Sequence, residues 1–205
     1  MRLILASASP ARLATLRSAG IEPEVRVSGV DEDAALAAAG VLAPDAVAQL
    51  LARAKAEEVA RVLGDAPEDA VVLGCDSLLE FDGERHGKPA DAAEAVARWQ
   101  RMRGRSGVLH TGHWLVDVRR GGHGVGATSS TTVHFADLSD AEIGAYVATG
   151  EPLVVAGAFT IDGLGGPFVT GIAGDHHGVV GLSLPVLRDL LGSIRVTIPE
   201  LWGAR

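Results

Sequence analysis

Short apolar runs alternate along this chain with segments in which apolar residues recur every three or four positions. The first pattern predicts strands and the second predicts helices. Leu3, Ile4 and Leu5 predict a short buried strand. Pro10 then suits the first turn of a helix, with Ser9 as cap, Leu13, Leu16 and Ala19 as the apolar face and Gly20 as the stop. Residues 22–30 alternate like a strand, and 31–40 form an acidic, flexible-looking stretch. A long helix is expected from Pro44 to Gly64, burying Val47, Leu50, Leu51, Ala54, Val59 and Val62. Residues 70–81 predict an apolar strand interrupted by Gly74, Asp76 and Ser77, followed by a hairpin turn at Asp82-Gly83. A helix capped by Asp91 is expected over 91–102. Two long antiparallel strands follow at 108–120 and 127–138, then a capped helix at 139–150. The tail predicts glycine-rich turns and short strands, ending on a helix from Pro185 to Leu191. No internal repeat or linker divides the sequence, so residues 1–205 read as one α/β domain on a mixed sheet.

Composition narrows the class. Apolar residues make up 47% of the 205, aromatics only 4%, so the core should be mostly Val, Leu and Ala. The net charge of −8 argues against nucleic acid or an anionic membrane as partner, though not against a small basic pocket. A single cysteine, Cys75, forbids an intrachain disulfide and fits a reducing compartment. The opening MRLILASASP is too short an apolar run for a signal peptide, and no stretch is long enough to span a membrane. These features together predict a cytoplasmic protein.

Three places carry candidate chemistry. At the first strand-to-helix turn, free backbone N–H groups attract anions, phosphate above all. Ser7, Ser9 and Arg12 add hydroxyl and guanidinium donors there, although a plain capped helix with a surface arginine has the same local pattern. Asp76 breaks an apolar run. A buried carboxylate is costly unless paired, so Asp76 is expected at a strand end facing a cleft, binding metal or activating water. A turn-capping aspartate is the plainer alternative. Lys88, held between Gly87 and Pro89, suits a charge aimed at phosphate, and an exposed loop lysine is its alternative. Lys55 taken alone reads as one more charge on a solvated helix face near Glu57 and Glu58. Taken together, these residues suit a small polyanion with a divalent metal.

The order of these motifs resembles the Maf family, septum-formation-associated nucleoside triphosphate pyrophosphatases. LASASPAR at 5–12 matches the family's L-A-S-x-S-P-R-R, AKA at 54–56 its helical lysine, and GCDS with GKP its G-A-D-T and G-K-P. GRS at 104–106, TG at 111–112, AGAFTIDG at 156–163 and GDHHGVVGLS at 174–183 follow in order. The resemblance implies an elongated mixed sheet flanked by helices, with two lobes around a deep cleft, as in Maf and inosine-triphosphatase-like proteins. It implies hydrolysis between the α and β phosphates, yielding nucleoside monophosphate and pyrophosphate, with magnesium or manganese. Pyrimidine or modified nucleotides are candidate substrates. By the same resemblance Ser7, Ser9 and Arg12 hold phosphates, Lys55 and Lys88 neutralise the triphosphate, Asp76 is the catalytic aspartate and Glu32 joins it near the metal. Asp162 stands at a substrate-binding position.

This chain departs from that pattern in several places. Ala11 replaces an arginine, Asp162 a glutamine, Val154–Val155 an aspartate–lysine pair and Ser183 a proline. His176 and His177 stand where tyrosines are common and are expected to diverge on a strand at the surface or cleft wall. The losses at 11 and 162 leave room for an alternative, a nucleotide-binding regulator of cell division with little activity. Asp76, of small use to a mere binder, favours the enzyme. The sequence leaves open whether the chain pairs as a homodimer.

Overall fold

A computed structural model describes residues 1–63 and 69–202. β1 (Arg2–Leu5) is followed by α1 (Pro10–Ser18), whose cap is Ser9 as expected. β2 is only Glu24–Val25, far shorter than the alternation over 22–30 suggests. Its partner β1 ends at Leu5, where the chain turns into α1, so β2 has nothing further to pair with. The acidic 31–40 stretch is helical: α2 (Glu32–Ala39) starts where the Asp31 carboxylate accepts the Ala34 N–H at 2.9 Å, and alanine sustains it.

α3 (Pro44–Leu63) buries Val47, Ala48, Leu51, Ala52, Ala56 and Val59. Leu50 and Ala54 are only half-buried and Val62 is exposed, so the buried face is rotated from the expected one. The expected end at Gly64 lies outside the described residues. Alanines at 48, 52 and 56 form a flat stripe that packs directly on the sheet. Two glycines receive it. A Cβ on Gly74 would collide with the Ala52 carbonyl, and one on Gly112 with the Ala48 carbonyl.

β3 (Ala70–Phe81) is the long central strand, and β4 (Glu84–His86) returns beside it through Asp82 and Gly83, both at positive φ. α4 (Ala92–Met102) has Asp91 as its cap. β5 (Ser106–Asp117) and β6 (His123–Phe135) are shifted a few residues from expectation, because Asp117 caps a 3₁₀ turn over Val118–Arg120. α5 (Asp140–Ala148) carries a full capping box of Ser139 and Glu142. β7 (Val169–Ala173) is followed by α6 (His176–Val180), where a strand was expected, because Asp175 accepts the N–H groups of His177 and Gly178. α7 (Leu184–Ser193) ends the main helices.

The seven strands form one mixed sheet in the order β2-β1-β3-β5-β6-β7, with β4 also on β3. The β1–β2 and β1–β3 pairs are parallel and the rest antiparallel. One face carries α1 and α7 at one end, over Val71, Leu73, Cys75 and Leu115. At its other end Trp99 packs edge-on against Phe135, Tyr146 and Phe168. α3, with α2 beside it, covers the opposite face. No helix among the described residues is long and apolar enough to cross a membrane.

One detail of the pairing makes the cleft. β1 pairs with β3 over Ala70–Leu73, and β4 pairs with the same edge over Leu79–Phe81. Between them, residues 74–78 have no strand on that side. The two apolar clusters flank this gap as the two lobes, and the gap is where the cavity opens.

Candidate active site

The cavity is about 1020 Å³, and Asp76 and Ser77 on its floor come from the gap in β3. Asp76 is therefore in the middle of a strand, not at a strand end. It reaches the cleft because the neighbouring strands stop short on either side of it. Successive strand residues point to opposite faces. Asp76 accordingly faces α3 and Ser77 faces α1, and each meets a cation.

Lys55 is not on a solvated face beside Glu57 and Glu58. Its Nζ lies 2.6 Å from Asp76 Oδ1 and 2.8 Å from Glu32 Oε1. The alanine stripe of α3 on Gly74 and Gly112 brings it there. Glu32, the first residue of α2, brings the second carboxylate to the ammonium. Burial pushes the Asp76 carboxyl above its usual range, against the pull of Lys55 and Arg12. Cys75 points away from the cavity into the core, where burial pushes its thiol up to about 12 and keeps it neutral.

Arg12 ties the other side of the gap together. Its Nε donates to Gly181 O at 2.8 Å, Nη1 to Ser7 Oγ at 2.9 Å and Nη2 to Ser77 Oγ at 3.1 Å. A guanidinium has five N–H groups, so two remain for a ligand. The ring continues from Ser77 Oγ to Thr111 Oγ1 at 2.9 Å, and from Thr111 to Gly178 O at 2.8 Å. Ser7 Oγ also accepts the Ser9 N–H at 3.2 Å. Ser7, Ser9, Ala11 and Arg12 all line the cavity.

Lys88 comes from the opposite lip. The Gly87 carbonyl beside it accepts from Arg98 at 2.6 Å and from the Gly157 N–H at 3.1 Å, which fixes the loop. Lys88 is exposed, lines the cavity and has no ion-pair partner among the described residues. Arg85 of β4 does the same and was missed in the sequence. It is register-paired with Glu80, one face with Asp76, and likewise has no ion-pair partner among the described residues. The only available signal was its strand parity relative to Asp76.

Asp162 is exposed and lines the far wall, next to Val154, Val155, Ala156, Phe159 and Ile161. The cavity thus has one end rich in cations and one apolar wall. His176 and His177 do not line it. They are consecutive on α6, and His177 Nδ1 lies 3.7 Å from Asp175.

Glu32 and Asp76 are the two carboxylates that meet at the floor of the cleft. Among the described residues no group of three or more His, Cys, Asp or Glu side chains is arranged to hold a metal alone. Each of the two carboxylates gives one oxygen to the Lys55 ammonium, and its other oxygen fits magnesium or manganese beside it. Such ions commonly take one or two carboxylates and complete their shell with water and substrate phosphate.

Comparison with known proteins adds an independent finding. The family described as "Maf-like protein" matches residues 2–194. A nucleoside triphosphate pyrophosphatase of Salinispora tropica is 60% identical, covering 99% of this chain and 88% of that protein. Proteins of the same name from Leifsonia xyli subsp. xyli and Streptomyces coelicolor are 58% and 57% identical, over 99% and 98% of this chain and 97% and 95% of theirs. A solved dITP/XTP pyrophosphatase from Mycobacterium abscessus aligns with TM-score 0.41 and 19% identity over 67% of this chain and 76% of that one, a likeness too distant to bear on function.

Proposed function

The chain belongs to the Maf family, and from that premise we propose that it hydrolyses nucleoside triphosphates between the α and β phosphates, releasing nucleoside monophosphate and pyrophosphate. The observation that carries this reading is the Lys55–Asp76 pair, 2.6 Å apart on the floor of the gap, beneath a cavity ringed by further cations. A regulator that only bound nucleotide would need the cations but not a largely buried aspartate among them.

In this reading the triphosphate lies at the cationic end. Lys55, Lys88 and Arg85 neutralise its charge, and the hydroxyls of Ser7 and Ser9, the remaining N–H groups of Arg12 and the start of α1 hold its oxygens. Asp76 accepts a proton from the water that attacks the α phosphorus. Lys55, 2.6 Å away, keeps it oriented and ionised. Breaking the α–β bond then sends the electron pair to the pyrophosphate oxygen, where the cations stabilise it. Glu32 and Asp76 would hold a divalent metal, which supplies further charge neutralisation when bound. Asp162 and the apolar wall receive the base, since a flat heterocycle suits that surface better than a solvated ion.

The test is a panel of ordinary and modified nucleoside triphosphates, assayed for pyrophosphate release with magnesium or manganese. Metal-dependent release from at least one member is expected. No release from any member, by folded protein, would contradict the proposal.

A further inference from the structure

The base-side wall is wrapped around a carboxylate that does not itself line the cavity. Glu151 lies in a short 3₁₀ turn after α5. Its Oε1 accepts from the Tyr146 hydroxyl at 3.0 Å, the Thr160 hydroxyl and the Gly165 N–H at 2.9 Å. Its Oε2 accepts the Leu164 N–H at 2.9 Å. Three of these donors, the Thr160 hydroxyl and the Leu164 and Gly165 N–H groups, come from the two ends of the 160–165 loop, and the fourth, the Tyr146 hydroxyl, comes from α5. The loop is shaped to admit it, because a Cβ on Gly163 would lie 2.5 Å from Oε2. Thr160, Ile161 and Asp162 of the same loop line the cavity, while Glu151 does not.

We propose that Glu151 is the positioning residue for base recognition: its carboxylate is the template on which the 160–165 loop folds, and through it Asp162 and Ile161 are held against the nucleobase. This rests on the reading of that wall as the base side. Hydrogen bonds to a charged carboxylate are the strong kind, and three from the loop itself, two of them from backbone N–H groups, fix a segment that carries no regular structure of its own. The phosphate end, built on α1, α3, β3, β4 and the loops beside them, shares none of these contacts. Glu151 therefore governs which nucleotide is chosen without governing how the triphosphate is held.

Three variants, Glu151→Ala, Glu151→Gln and Asp162→Ala, test this. Each is measured for kcat/KM across the nucleotide panel and for inhibition by inorganic tripolyphosphate, which has no base. Backbone amide exchange at Leu164 and Gly165 is followed in parallel. Glu151→Ala should shrink the spread between best and worst nucleotides by about tenfold, the scale of one lost recognition hydrogen bond. Tripolyphosphate inhibition should be unchanged and the two amides should exchange faster. Glu151→Gln keeps one acceptor oxygen and should fall between. An unchanged nucleotide ranking in both Glu151 variants would overturn the proposal whatever Asp162→Ala does. So would an equal loss for tripolyphosphate and every nucleotide, which marks a merely structural role. If Glu151→Ala flattens the ranking and Asp162→Ala does not, the template role stands and the base contact passes to the rest of the loop.

Discussion

Ala11 sits on the first turn of α1 and lines the cavity between Ser9 and Arg12, where the family pattern has an arginine. Arg12 spends three of its N–H groups on protein acceptors, so the cradle here has few free guanidinium donors. Ala11→Arg should therefore tighten triphosphate binding about tenfold to a hundredfold, the worth of one charge-assisted hydrogen bond, with the base ranking unchanged. Titration calorimetry with a non-hydrolysable triphosphate analogue checks this. A changed base ranking would move residue 11 away from the phosphates. Ser183, another departure, has a physical account in the structure. Its N–H donates to His113 Nε2 at 2.8 Å, a bond that a proline could not make. The presence of Ser7, Ser9, Arg12, Asp76 and Lys88 at polar interruptions made them legible as candidates in the sequence. Arg12's reach to Gly181, 169 positions away, was not, and neither was the contact of Lys55 with Asp76 and Glu32, which depends on a strand and a second helix meeting it.

At the scale of elements, capped helices and the Asp82-Gly83 hairpin were readable because their signals are local. α2 was not, because its alanines and acids give no apolar period, and its cap at Asp31 had no patterned helix to announce. The orientation of α3 was also hidden. It is set by which residues are small enough to approach Gly74 and Gly112, not by which are most apolar. That close approach is what brings Lys55 to Asp76. Gly74→Ala should force α3 away from the sheet at a cost of about 1–3 kcal/mol, as overpacked cores do. It should also weaken the Lys55–Asp76 contact. Denaturant unfolding should show the loss, with kcat reduced in the protein that remains folded. Wild-type stability and kcat together would mean that the helix has slack to spare at this contact.

Across the whole molecule, two buried titratable groups pull stability in opposite directions. Burial lowers His113 to about 4, below an ordinary histidine near 6.5. As pH falls through that window the unfolded chain takes up a proton that the folded one refuses. Stability should therefore drop by about 3 kcal/mol between roughly pH 6.5 and 4. Asp76, raised by burial, acts with the opposite sign: its cost to the fold appears as pH rises through its folded value and it ionises. His113→Gln should flatten the stability profile from pH 6.5 to 4.5 in denaturant titrations, and an unchanged slope would assign that acid sensitivity to other groups. The most direct test of the account is phosphorus NMR of the products formed from one accepted nucleoside triphosphate by wild-type protein and by Asp76→Asn. Monophosphate and pyrophosphate should appear with wild type, about a hundredfold or more slowly with the variant, while the variant still binds the nucleotide. Diphosphate and orthophosphate as products, or near-wild-type turnover in Asp76→Asn, would contradict it.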